Sequence, residues 1–350
     1  MQKVSPHKNG MANNRILGID IGSSAIKIAQ VNVGKDNHVV EEYVSIPLPS
    51  ESVVDGRIAD GKHQLVVNIL KLALKETTFS TKDAIVGLNS SSSVFFRNAV
   101  VPIMNDATLK KSIINIVEAE KTGLDMNEMH VSYSVLGKDA RGSKLRLMLY
   151  LVQDQYVDSL CRAVEDAGLN VVGADISALA TLRGTGIDVR QTDTAAIVGI
   201  GADITSILMH RSGVPSALFL DSTGAGREAS RVIADALDAD PESEDMELYK
   251  TSNTRFDADV QEAISEYGDM LAQRLLKTFE VFKRNSPDEP PVRSITLVGG
   301  GSFLQGLARV IQNHFDLAIQ YGKPEPAFDG DLARASLHLT AIGLAIGATR

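Results

Sequence analysis

The sequence predicts an α/β protein of two similar lobes, with a small α+β module inserted between their cores. Three observations predict it. Short β-rich runs alternate with amphipathic helices from Arg15 onward, a glycine turn follows the opening apolar strand, and the same strand–turn–strand pattern returns near residue 194. A length of 350 residues suits two such units.

The run 15–20 (RILGID) is an apolar strand ending at a turn, 26–33 is a second strand, and 39–46 is a third after the turn signal GKDN. A helix near 62–77 and a strand at 84–88 complete the first part of lobe one, 15–93. The texture changes over 94–183, the expected module. There FFRNAVVPI reads as a strand, and Asp106 caps a helix carrying Leu109, Ile113, Ile116 and Val117 that stops at Gly123. Strands follow at 131–136 and 145–152, joined by GKDARGSK. Asp154 caps the next helix, where Val157, Leu160, Cys161 and Val164 recur at i, i+3, i+4 and i+7 and Gly168 ends the run.

The second lobe, 184–335, opens with TAAIVGIGADIT (194–205), and 207–220 reads as a hairpin turning at Ser212-Gly213. Helices are expected near 224–238, 257–285 and 303–315, with a strand at 294–299. In the long helix Val260, Ile264, Tyr267, Leu271, Leu275 and Phe282 hold one apolar stripe, a packing face rather than a cofactor site. Residues 336–350 read as a helix returning to lobe one. Residues 1–14 are polar, without the apolar stretch of a signal peptide, and are expected to be a disordered tail in which Met11 is an alternative start.

Composition excludes several functions. Hydrophobic residues make up 44% and charged residues 23%, an ordinary globular balance. A net charge of −9 argues against a nucleic-acid coat or a polybasic membrane patch. The lone Cys161 excludes a disulfide framework and a multi-cysteine zinc site, and no apolar run reaches the roughly 20 residues that span a bilayer. A cytoplasmic protein brought to a membrane by a partner is the expectation.

The chemistry lies in the glycine turns. Asp20-Ile-Gly22-Ser23-Ser24-Ala-Ile-Lys27 follows an apolar strand directly. Such a turn can offer the N–H groups of Gly22, Ser23 and Ser24 to phosphate oxygens, with Asp20 organising Mg²⁺ through water and Lys27 adding positive charge. Gly199-Ile-Gly201-Ala-Asp203-Ile-Thr205 occupies the matching place in the second lobe, so two turns can clamp a polyphosphate. Gly299-Gly300-Gly301-Ser302 again follows a strand and precedes a helix, a place for a nucleobase or sugar.

Two other patterns carry less. Gly56-Arg-Ile-Ala-Asp-Gly61-Lys62-His63 nearly spells a Walker A loop, but His63 has no hydroxyl for Mg²⁺ and no apolar strand precedes it. Gly224-Ala-Gly226-Arg-Glu-Ala229 fits a dinucleotide turn, yet an acidic stretch follows instead of a βαβ unit.

Together the three turns resemble the actin-like ATPase superfamily. Within it LGIDIGSSAIKIAQV, FFRNAVVPI, IVEAEKTG, VEDAGLNVVGADISALATL and VGGGSFLQGLARVI resemble the type IV pilus assembly group known as the PilM family. The resemblance implies an actin-like two-lobed fold binding ATP and Mg²⁺. It implies Asp20, Gly22, Ser23, Ser24 and Lys27 on the β-phosphate and metal side, with Gly201 and Thr205 on the opposite loop. Gly226 and Ser230 match the adenosine segment, Glu247 and Lys250 its Glu-x-x-Lys pair, and Gly299 to Ser302 the adenosine loop. Asp175 stands where the fold keeps a water-orienting polar group.

The resemblance further implies a partner, the N-terminal cytoplasmic segment of an inner-membrane, PilN-like pilus protein, other motor components beside it, and self-association. One departure matters. The family's second turn begins with aspartate, and here that place is Gly199, so hydrolysis is expected to be slow or absent. Losing one positioned group of this kind costs on the order of 10²–10³ in rate. The alternatives are an FtsA-like division filament, whose membrane helix is not evident in the closing LHLTAIGLAIGATR, and a small-molecule kinase.

Overall fold

Two five-stranded sheets of the same connectivity carry the molecule. The computed structural model describes residues 14–34, 37–120, 123–139, 141–186, 193–241, 258–324 and 336–347. In lobe one, β1 (Arg15–Ile21), β2 (Ala25–Val33) and β3 (His38–Pro47) form an antiparallel meander, and β6 (Asp83–Leu88) and β10 (Asn170–Ile176) add in parallel to give the order β10-β6-β1-β2-β3. In lobe two, β11 (Thr194–Ile200), β12 (Thr205–Arg211) and β13 (Val214–Asp221) repeat the meander. There β14 (Val292–Val298) and β15 (Ala318–Tyr321) add in parallel, for the order β13-β12-β11-β14-β15.

The meanders form because β-branched residues alternate with turn residues at the required places. Ser212 (φ 52°) and Gly213 (φ 78°) make the tight β12–β13 turn, a conformation in which both central residues need positive φ. Asp55 (φ 48°) and Gly56 (φ 72°) do the same between the two short strands β4 (Val53–Val54) and β5 (Arg57–Ile58). The near-Walker segment is therefore a hairpin leading into α1 (His63–Lys75), not a phosphate loop.

The inserted sheet, in the order β7-β9-β8, uses β7 (Val94–Pro102), β8 (Met129–Lys138) and β9 (Lys144–Gln153) and carries α2 (Asp106–Ala119) on one face. Asn105, not Asp106, caps α2, its side chain accepting from the Thr108 N–H. Here the expected outline changes, because the separate sheet ends at Gln153. The helix α3 (Asp154–Asp166) joins the lobe-one core, β10 pairs with β6, and α4 (Ser177–Gly184) packs against the closing helix α8 (Leu339–Ile346). A three-strand module cannot use these pieces, whose apolar faces match lobe one. Along α3 the buried face is Tyr156, Leu160, Ala163 and Val164, with Cys161 half-buried at its flank and its thiol pushed up to about 11 by burial.

Lobe two buries its sheet under α5 (Gly226–Leu237), α6 (Ala258–Asn285) and α7 (Leu307–His314), and all six stripe residues of the long helix are buried. The helix expected over 303–315 is split, a 3₁₀ turn at Gly300–Phe303 preceding α7, because Gly306 (φ 85°) leaves the helical region between them. The other face of the second sheet, with Ile197, Leu208 and Leu218, joins an apolar cluster shared with lobe one. Two chain crossings link the lobes side by side, the Gly186 N–H donating to the Lys323 carbonyl at 2.8 Å beside a Thr185–Pro324 bridge.

His210 on β12 is buried, its Nδ1 has no partner, and burial pushes its pKa down to about 4. The unfolded chain takes up this proton below about pH 6.5 while the folded chain refuses it until about pH 4. Stability therefore falls across that window, by about 2 kcal/mol at pH 5 from this group alone. Urea midpoints of the wild type should drop more between pH 7.5 and pH 5 than those of His210→Leu. Equal drops would show that His210 does not carry the effect.

Candidate functional site

The β1–β2 and β11–β12 turns face each other across the cleft and are built alike. Asp20 lies opposite Lys27 in the first hairpin, and Gly199 opposite Ser206 in the second. Each turn closes on a glycine. The Gly22 N–H donates to the Ala25 carbonyl at 3.1 Å and the Gly201 N–H to the Ile204 carbonyl at 3.0 Å. A Cβ on Gly201 would stand 2.8 Å from that carbonyl, so a side chain there would push the turn open. The closing bonds use the glycine donors, which removes Gly22 from the expected donor set. What remains free, among the described residues, are the N–H groups of Ser23 and Ser24 on one side and of Ala202 and Asp203 on the other. Paired free amides of this kind form a concavity that suits an anion.

Asp20, Lys27, Gly201, Asp203, Gly299 and Gly300 all line the cavity between the turns, which encloses about 100 Å³. Burial pushes the Asp20 carboxyl up, and the nearby Lys27 ammonium is the one cause pulling it down. A carboxylate with one cationic neighbour and no hydrogen-bond partner among the described residues is suited to a further cation. The α4 N-terminus adds Ser177 and Thr181 to the lining.

A model of the family described as type IV pilus assembly protein PilM matches residues 18–348. The chain belongs to that family. Its fold is also that of several solved structures. One is a PilM–PilN type IV pilus biogenesis complex, with 22% identity, 96% of this chain and 98% of that chain covered, and a TM-score of 0.80. Another is the ethanolamine utilization protein EutJ from Carboxydothermus hydrogenoformans (17% identity, 97% and 91% covered, TM-score 0.60). A third is MreB 5 of Spiroplasma citri bound to AMPPNP (12% identity, 95% of each chain covered, TM-score 0.54). The actin-like fold of this PilM-family chain is thereby shown.

The structure gathers some of the sequence-derived residues at the cleft and uses others behind it. Asp20, Gly22, Ser23, Ser24, Lys27, Gly201, Gly299 and Gly300 line the cavity. Thr205 is buried, and its hydroxyl donates to the Gly224 carbonyl at 3.0 Å, tying β12 to the start of α5. The Gly226 and Arg227 N–H groups are satisfied by the Gly201 and Ala202 carbonyls at 2.8 and 2.9 Å, so the second turn caps α5. Ser230 donates back to the Gly226 carbonyl, and Ser302 to the Gly299 carbonyl at 2.7 Å, which closes the Gly299–Ser302 turn with a hydroxyl expected from the sequence to face a ligand. Gly301 packs on Ile200 beneath that turn. Glu247 and Lys250 lie outside the described residues.

Asp175 does not line the cavity. Its carboxylate is held by Arg183 and by the Ile176 N–H, and Arg183 also reaches the Gly343 carbonyl on α8, which makes the aspartate part of the β10–α4–α8 junction. Asp203 is no substitute for the aspartate absent at 199, since it binds Arg227 and accepts the Asp55 N–H at 3.2 Å. Ser177 was missed because its helix reads, in sequence, as the tail of the module. Its hydroxyl is buried without a partner over Gly87.

Replacing Lys27 with methionine removes the one pull that lowers the Asp20 carboxyl. Carbon-detected NMR titration of Asp20 should show a higher midpoint in Lys27→Met than in the wild type. An unmoved or lower midpoint would mean that the two groups do not interact as described.

Proposed function

We propose that this chain is a nucleotide-dependent scaffold of type IV pilus assembly. It binds ATP with Mg²⁺ between the two turns, hydrolyses it slowly or not at all, and captures the N-terminal cytoplasmic segment of a PilN-like inner-membrane protein. That partner brings it to the inner face of the membrane. The observation carrying the nucleotide part is the pair of facing turns, four free N–H groups around one cavity with Lys27 and Asp20 beside them. The partner part is carried by family membership together with the fold shared with the PilM–PilN complex.

The donor set fits a polyphosphate and Mg²⁺. Backbone amides and Lys27 supply the positive side, and Asp20 with phosphate oxygens and water supplies the hard oxygen ligands that Mg²⁺ prefers. Among the described residues no cluster of three His, Cys, Asp or Glu side chains would hold a metal alone, which fits a metal that arrives with its nucleotide. Mg²⁺, when bound, supplies charge neutralisation on the phosphates. Nucleotide pockets measure roughly 300–1,000 Å³, so the cavity of about 100 Å³ must widen to admit one. Widening at the paired crossings near Gly186 and Lys323 would part the two turns.

Slow chemistry follows from Gly199. No carboxylate stands at the start of the second turn to place an attacking water, and Asp203 is committed to Arg227. An aspartate fits there at small cost, because the group nearest a Cβ on Gly199 is the Ser206 hydroxyl at 2.6 Å, a side-chain end that can rotate. Calorimetry and single-turnover assays with Mg·ATP are expected to show binding without turnover in the wild type. Lys27→Ala should lose at least 10-fold in affinity, and Gly199→Asp should gain measurable turnover. Fast wild-type hydrolysis or wild-type failure to bind would refute this reading.

A further inference from the structure

We infer that Arg227 is the residue by which this cleft distinguishes a nucleoside triphosphate from a diphosphate, its guanidinium taking the terminal phosphate while still paired with Asp203. The inference rests on the nucleotide reading above. Arg227 opens α5, and its N–H is fixed to the Ala202 carbonyl at 2.9 Å, so its backbone is anchored to the second turn. Its side chain nevertheless reaches the first lobe. Nε binds the Asp203 carboxylate, Nη2 stands 3.4 Å from the Ser23 carbonyl, and Nη1 stands 3.5 Å from the Ser50 hydroxyl. The one strong bond is at Nε, and the two terminal nitrogens make long contacts only. A guanidinium offers five donors in a planar fork, and here the half facing the first turn is barely used.

Charge points the same way. Asp203 lines the cavity, and its side chain keeps only 12% of its exposure. A carboxylate set among donors for a polyphosphate would repel that ligand, by more as water is excluded. Arg227 cancels this charge, and its two terminal nitrogens, held only by long contacts, remain able to donate hydrogen bonds to a phosphate. Asp203 and Arg227 both belong to lobe two and would move together when the cleft widens. What breaks on widening is their hold on Ser23, Ser50 and the Asp55 N–H, all in lobe one. Arg227 stands outside the lining of the closed cavity, and a phosphate bound by the free N–H groups of Ser23 and Asp203 would lie beside the two residues that its guanidinium contacts. The third phosphate of a triphosphate adds negative charge beyond what the turn amides and Lys27 meet in a diphosphate, and a bidentate guanidinium suits that added group.

The test is equilibrium binding of Mg·ATP and Mg·ADP to the full chain, with the wild type read first. Binding of neither nucleotide to the wild type overturns the nucleotide reading itself. Given wild-type binding, Arg227→Ala should weaken Mg·ATP by about 30-fold and Mg·ADP by less than about 3-fold, the scale of one lost charged hydrogen-bond pair. Arg227→Lys should fall between the two. The isosteric Asp203→Asn, which removes the opposing charge and leaves an amide oxygen to accept from Arg227 Nε, should tighten Mg·ATP, and it decides the matter if Arg227→Ala does not fold. Without nucleotide, amide exchange over 50–55 should quicken in Arg227→Ala. Equal losses for ATP and ADP, an unchanged ATP affinity in Arg227→Ala, or weaker ATP binding in Asp203→Asn would each overturn the assignment.

Discussion

Each lobe depends on one hydrogen bond at the tip of its central hairpin. The Gly22 and Gly201 N–H groups turn back onto the carbonyls of Ala25 and Ile204, and the next two residues of each turn border the cleft with their amides unpaired among the described residues. A larger residue at Gly201 would collide with the carbonyl that makes this bond. The strands behind each tip are clamped by parallel neighbours, β6 in one lobe and β14 in the other, so the tips are held by the cores of both sheets. Duplication then places two such tips against each other. The site is thus a property of the repeated fold more than of any single side chain.

Within that symmetry the two sides differ in charge. The first hairpin pairs Asp20 with Lys27, and the second pairs Gly199 with Ser206. The first side carries an acid and a base at paired positions, and the second carries neither at the matching pair. Asp203 is spent on a bond to Arg227 within lobe two, and the pair reaches lobe one through the Asp55 N–H, Ser23 and Ser50. Under the proposed function, this division serves a cleft that closes on a nucleotide without consuming it. A groove of about 660 Å³ has Phe95 and Phe96 of the inserted sheet on one wall and Leu218, Leu220 and Phe282 of lobe two on the other. Arg146 of the inserted sheet and Glu289 of lobe two form an ion pair at 2.5 Å, a further tie between the module and lobe two.

Most of the strands and the three glycine turns were legible in the sequence because their signals are local. An apolar run followed by glycine needs no knowledge of the rest of the chain, and neither does the stripe from Val260 to Phe282. What escaped depends on distant partners. The helix α3 and strand β10 look like part of the inserted module until β10 is seen to pair with β6, where Asn170 meets Asp83, 87 positions earlier in the chain. Thr205, Ser230 and Ser302 stand at ligand-like positions, yet their hydroxyls meet backbone carbonyls, which motif spacing cannot reveal. Arg227 was passed over as the filler of a dinucleotide-like pattern, since its contacts to Ser23 and Ser50 come from the other lobe.

The central claim is that nucleotide occupancy sets lobe closure and that lobe closure sets affinity for the membrane partner. Calorimetry of the partner's N-terminal cytoplasmic peptide, with and without saturating Mg·ATP, tests it most directly. The account predicts affinities that differ by at least about 5-fold, a coupling of about 1 kcal/mol. Equal affinities in the two conditions would contradict it.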